Sequence, residues 1–224
     1  LLVLGEGEDD ERLTLASRLY QKMLLVFLEA EEQRNKAAKF DALLASEQFH
    51  TSLFACCVEA VCASHHAADS VFPQILDVLE LQAFDFCKVI SSFLSYEPSL
   101  PLYMRARFAV IEAMILESLA WRDDSPLHDL AAEYDATATP ADGGSNAVVG
   151  RATAALEQFF RKVYYLAAAR IQELCTRMLL PSALVRQVWE CLKLIIDTPA
   201  RSLLRGRHLD QIIMCTIYGV CKLN

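Results

Sequence analysis

The sequence predicts an all-α fold of two helical lobes joined by a spacer. No glycine occurs between Gly7 and Gly143, whereas strand-rich folds need glycines at their turns. Apolar residues recur every three or four positions through most of the chain. Residues 131–152, AAEYDATATPADGGSNAVVGRA, lose that rhythm and fill with small, polar turn formers.

Residues 12–34 place Leu15, Leu19, Met23 and Phe27 every four positions. In 46–64, Ser46 is the expected N-cap and Phe49, Leu53, Cys57 and Val61 form the apolar face. Asp69 or Ser70 would cap a short helix with Pro73 in its first turn and Ile75, Leu76 and Leu79 inward. Ala83, Cys87, Ile90 and Leu94 mark the next helix, which Pro98 and Pro101 end. Another runs 102–120 through Phe108, Ile111, Ile115 and Leu119, closed by Trp121. Five such apolar helices must surround one another, the most hydrophobic at the centre. After the spacer, helical pattern resumes at 153–180, at 182–196 with Ser182 as the cap, and at 208–222. Gly206 ends the loop before the last of these.

With 224 residues, 54% hydrophobic and 22% charged, the chain is too apolar for disorder. It is also long enough to bury a core without disulfides or a structural metal. A net charge of −8 argues against a general nucleic-acid binder. The charge is uneven. Residues 151–224 carry 11 Lys/Arg and 5 Asp/Glu, and residues 1–150 carry 10 and 24. Lobes of opposite sign attract, which predicts docking; the alternative is clustering on solvated faces. Eight cysteines without scaffold spacing, set among Leu, Ile and Val, indicate free thiols and a reducing compartment, cytosol or nucleus. The longest apolar run, 163–171, is broken by Arg170 and far short of the ~18–20 residues a membrane span needs. The start, LLVLGEGEDDE, lacks an initiator Met and a basic n-region, and the sequence stops inside an apolar pattern. It reads as a piece of a longer protein.

No glycine-rich phosphate cradle is present, and Asp142-Gly143-Gly144 is a spacer turn. The best metal-ligand candidate is Cys62 with His65 and His66, against the simpler reading of a helix end with solvated histidines. A cysteine nucleophile would need His50 or His208 beside it, and the apolar setting of every cysteine argues for inert thiols. Ser125, His128 and Asp129 have a triad's residue types but lie contiguous, without a nucleophile elbow. Glu29, Glu31 and Glu32 read as a solvated face. Arg201, Arg205, Arg207 and His208 form one basic loop, suited to phosphate contact or to pairing with neighbouring acids, with Asp210 offsetting Arg207 at the helix start. No catalytic residue, metal or cofactor is expected.

Several runs resemble the small pocket of the retinoblastoma family: RLYQKML at 18–24, EEQR at 31–34, FHTSLFAC at 49–56 and FPQILDVLELQAFDFCKVI at 72–90. ESLAWRDDSPLHDL at 117–130, FFRKVYYLAAAR at 159–170 and RHLDQIIMCTIYGVCK at 207–222 continue the pattern in the family's order. The short connection at 64–71 is similar to plant-type retinoblastoma-related members. The resemblance implies two cyclin-like boxes packed together: an A box at 1–130, a spacer at 131–152, and the N-terminal part of a truncated B box at 153–224.

It further implies a nuclear transcriptional corepressor that restrains S-phase entry. The activation peptide of a cell-cycle transcription factor would lie in a groove between the boxes. A B-box groove would take Leu-x-Cys-x-Glu proteins such as histone deacetylases, D-type cyclins and viral oncoproteins. Position by position, Lys88, Glu112 and Arg161 match activation-peptide contacts, the two cations suiting an acidic peptide. Tyr218 and Lys222 match contacts of the second groove, and Cys215 matches a buried family cysteine. The helices completing that groove lie beyond Asn224, so weak or absent Leu-x-Cys-x-Glu binding and uncovered apolar surface are expected. The sequence departs from the vertebrate pattern of charged or imidazole groups at Ser91, Ala106, Ala109, Ala113 and Tyr165. Neither nucleic acid nor membrane is an expected partner. The alternative is a cyclin-like general transcription factor or kinase-partner module, and a more distant one is a Cys/His enzyme.

Overall fold

A computed structural model describes residues 8–34, 41–65, 71–138 and 147–224. The predicted all-α class is the observed one: among the described residues every regular element is helical. The chain forms two compact units, 1–112 and 113–224.

The first unit holds α1 (Glu8–Arg34), α2 (Asp41–Leu44), α3 (Glu47–Ser64), α4 (Gln74–Val78), α5 (Ala83–Tyr96) and the start of α6 (Leu102–Glu117). α3 buries residues on all sides, Leu53, Ala55, Cys56, Cys57 and Ala60 among them. A helix apolar all round belongs in a core, and α3 packs between α1 and α5. Met23 and Phe27 of α1 and Phe86, Ile90 and Phe93 of α5 close on it. Ser46 caps α3 as predicted, its Oγ accepting from the Phe49 amide at 3.3 Å. The predicted caps Asp69 and Ser70 lie outside the described residues; Pro73 stands at the start of α4. At the α5–α6 turn, Lys22 of α1 pairs with Glu97 at 2.5 Å, and this bond holds the carboxyl below its usual range.

The second unit contains the end of α6, α7 (Leu127–Ala138), α8 (Ala147–Arg177), α9 (Ser182–Asp197) and α10 (Leu209–Leu223). Short 3-10 turns lie at Leu119–Trp121 and Pro199–Leu204. Its core centres on Trp121, whose ring meets Phe159 at 5.8 Å and Phe160 at 6.5 Å. Trp121 Nε1 donates to the Leu116 carbonyl at 2.7 Å, and the Gly206 amide donates to the Trp121 carbonyl at 2.7 Å. Gly206 has φ +63°, and a Cβ there would meet the Asp123 carboxylate at 3.4 Å, so a glycine suits this approach.

Three local readings change. Residues 131–138 continue α7 instead of opening the spacer. Ala131 is buried and Asp135, one turn on, pairs with Arg201 at 2.6 Å, so the helix packs through small and charged groups that bulk periodicity does not reveal. Ser182 is the first helical residue of α9 and makes no cap bond, because Pro181 takes the boundary position. The loop before α10 is partly 3-10 helix, opened by Thr198, whose Oγ1 accepts from the Ala200 amide at 3.2 Å.

The uneven charge appears as ion pairs within this unit. Arg170 faces Glu117, Arg201 faces Asp135, and Arg205 lies 3.4 Å from Asp123. Arg201 is buried and also sits 4.9 Å over the Phe160 ring, whereas the exposed Arg205 pair adds little.

Candidate functional site

In the first unit, α5 projects Lys88 outward, where its Nζ pairs with Asp85 and lies 4.9 Å from the Phe84 ring centroid. One turn on, Ser91 donates to the Glu112 carboxylate of α6 at 3.4 Å. Glu112 thus meets α5 one turn beyond Lys88. On its other side Lys88 lines a cavity of about 260 Å³, with Phe27, Phe49, Val89 and Tyr96 as apolar walls. Phe27 packs edge-on against Tyr96 at 4.8 Å and tilts against Phe49 at 5.5 Å, so three aromatic rings from three helices fix this wall. An aromatic-walled recess suits an apolar anchor side chain, and the charged part of its lining holds both signs, Lys88 with Asp85 and Glu31. Sequence reasoning found Lys88 but not the recess, since its walls come from α1, α3 and α5. Glu31, read as part of a solvated face, is half-buried and lines this recess.

Arg161 lies exposed on α8 in the second unit, and Tyr165, one turn on, is 74% exposed. α10 carries Tyr218 and Lys222 one turn apart, the Lys222 Nζ 5.7 Å from the Tyr218 ring centroid. Beside them runs an apolar groove of about 580 Å³ lined by Cys191 and Ile195 of α9, Leu203, and Ile212 and Cys215 of α10. Cys191, Cys215 and Cys221 are exposed, which corrects the expectation that all eight cysteines sit in buried apolar contexts. For Cys215 the reason is helical phase: it shares the outward arc of α10 with Gln211, Tyr218 and Lys222, while Ile213 and Ile217 point inward.

The other chemistry-bearing residues are held in structural roles. His50 Nδ1 accepts from the Tyr20 hydroxyl at 2.7 Å, and its Nε2 donates to the Leu44 carbonyl at 2.9 Å. His208 caps α10: Nδ1 accepts from the Asp210 amide at 3.1 Å, leaving Nε2–H toward Glu117 at 3.4 Å. Burial pushes the Cys57 thiol up to about 12 and the Cys56 thiol well above its ordinary value. Cys62 is buried, His65 ends α3, and His66 lies outside the described residues. Of the basic loop, Arg201 and Arg205 pair with acids and Arg207 donates to the Leu203 carbonyl at 2.8 Å. Among the described residues no group of three His, Cys, Asp or Glu side chains could hold a metal, and no helix is long and apolar enough to cross a membrane.

Comparison with known proteins places the chain in a family. The family model described as the Retinoblastoma-associated protein A domain matches residues 4–131, and that described as the Retinoblastoma-associated protein B domain matches residues 155–224. Retinoblastoma-related protein 1 of Triticum aestivum is similar to this chain at 27% identity, covering 96% of the chain and 31% of the relative. Retinoblastoma-related protein 3 of Zea mays is 25% identical over 96% of the chain and 30% of its own length. Retinoblastoma-related protein 2 of Oryza sativa subsp. japonica is 26% identical over 93% and 31%. The chain spans about a third of the length of these curated relatives. Two family models in order, together covering most of its length, show that the chain belongs to the retinoblastoma family of pocket proteins.

Proposed function

We propose that the chain is the binding pocket of a nuclear transcriptional corepressor that acts in cell-cycle regulation and restrains S-phase entry. It is a non-catalytic interaction module without a cofactor. Residues 1–130 serve as the A box and 153–224 as the N-terminal part of the B box, joined through 131–152, of which 131–138 are the end of α7. Its main ligand is the acidic-hydrophobic activation peptide of a cell-cycle transcription factor. Lys88, Glu112 and Arg161 are the contact residues this reading assigns to that peptide. The observation that carries this reading is the aromatic recess beside Lys88, whose walls suit an apolar anchor of such a peptide. Tyr218 and Lys222 serve Leu-x-Cys-x-Glu partners, namely histone deacetylases, D-type cyclins and viral oncoproteins, with the Tyr hydroxyl for the peptide backbone and the Lys for its acidic flank. The exposure of both side chains beside an apolar groove supports that assignment.

Titration of a labelled acidic-hydrophobic peptide by fluorescence anisotropy tests the main reading. Lys88→Glu and Arg161→Glu should each weaken binding about ten-fold, since each puts a repulsive charge where a charge-assisted contact stood. Unchanged affinity in both variants would remove these residues from the site.

A further inference from the structure

The recess of the first unit has a lining that an apolar anchor alone does not require. Phe27 of α1, 5% exposed, forms its floor. Phe49 of α3 tilts 58° from that ring and Tyr96 of α5 stands at 90° to it. Three ring planes from three helices thus bound one corner, and the Ser46 cap fixes Phe49 at the first turn of α3. Glu31, one turn beyond Phe27, and Asp85 of α5 put two carboxylates on the lining against one ammonium, that of Lys88. The Lys88 Nζ is already engaged by Asp85 and stands over the Phe84 ring. Aromatic faces are themselves electronegative, so rings and carboxylates together favour a cation. At about 260 Å³ the recess is smaller than the about 300 Å³ at which sites for drug-sized ligands begin, so it takes a single side chain. A bare ammonium is compact and strongly hydrated, and a lysine would lose that hydration on entering. A methylated ammonium wraps the same charge in an apolar shell, which aromatic walls accept.

We infer that the recess is a site for the trimethylated ammonium of a methylated lysine carried by a partner peptide. The methyl groups pack on Phe27, Phe49 and Tyr96, and Glu31 and Asp85 offset the charge. The inference goes beyond the activation-peptide reading, which asks only that the recess hold an apolar anchor. Both ligands place apolar atoms there; they differ in whether those atoms surround a positive charge.

Three labelled peptides of one sequence test it by fluorescence anisotropy. They differ at a central residue: lysine, trimethyllysine, and the neutral isostere with carbon in place of the quaternary nitrogen. The trimethyllysine peptide should bind at least about ten-fold more tightly than either of the others. Phe49→Leu and Tyr96→Leu keep apolar bulk but remove a ring, and each should cut that preference to within about three-fold. Tyr96→Phe should retain it. Glu31→Gln should weaken the trimethyllysine peptide and leave the isostere unchanged, a readout that survives if the leucine variants fail to fold. Equal binding of the trimethyllysine peptide and its isostere, or binding of neither, would overturn the inference. A preference that persists in folded Phe49→Leu and Tyr96→Leu would place the site elsewhere and overturn it too. An acidic-hydrophobic peptide titrated in parallel separates the two readings. If it binds and responds to Lys88→Glu while the trimethyllysine preference is absent, this inference falls and the activation-peptide reading stands. If the preference is present and the acidic peptide does not bind, the activation-peptide reading falls and this inference stands.

Discussion

Trp121→Ala should lower the unfolding free energy of the second unit by about 3–5 kcal/mol, the usual cost of deleting a buried large aromatic. Trp121 is 1% exposed and joins three features. Its ring packs on Phe159 and Phe160 of α8, its Nε1 answers the Leu116 carbonyl at the end of α6, and its carbonyl accepts the Gly206 amide before α10. Truncation opens a cavity and leaves the buried Leu116 carbonyl unpaired, two costs that add. Trp121→Phe keeps an aromatic ring and loses only the indole donor with some volume, so it should lose less than half as much. Urea unfolding followed by far-UV circular dichroism measures both. Equal losses in the two variants would show that ring packing on Phe159 and Phe160 contributes little.

Glu59→Ala should cost about 3 kcal/mol, the cost of breaking a buried ion pair. Glu59 of α3 is 2% exposed, with Arg107 of α6 at 3.6 Å. Removing it strands a half-buried guanidinium. Glu59→Gln keeps the side-chain volume and should cost less.

The two variants also differ from wild type in pH dependence. Burial raises the Glu59 carboxyl, and Arg107 offsets only part of that rise. A carboxyl raised in the folded state binds its proton more tightly there than in the unfolded chain. Its contribution is therefore complete below the ordinary glutamate range and is lost as pH rises through the folded value. Wild type should lose stability relative to Glu59→Gln as pH climbs from the ordinary glutamate range toward neutrality. A constant difference between the two across that range would contradict the desolvated carboxylate.

The helices were legible because their packing relies on bulky residues at fixed spacing. Met23 and Phe27, Leu53 and Cys57, and Phe108 and Ile111 each repeat at three or four positions and each prove buried. The last turns of α7 escaped because Ala131 and Asp135 hold it to its neighbours without bulk, Asp135 through Arg201. The exposed Cys191, Cys215 and Cys221 were misread because composition along the chain does not give rotational phase about a helix axis. For Cys215 the signal was present: counting by 100° groups it with Gln211, Tyr218 and Lys222. Lys88 was assigned by resemblance, whereas the recess beside it depends on three helices far apart in sequence.

The account stands on one claim, that a partner peptide lies along α5 and α6 at Lys88. Hydrogen exchange of the chain, with and without a saturating acidic-hydrophobic peptide, tests it most directly. The account predicts slowed exchange in α5 around Lys88, in α6 around Glu112 and in α8 around Arg161, with α10 unchanged. Slowing confined to α10 around Tyr218 and Lys222, or none anywhere, would contradict it.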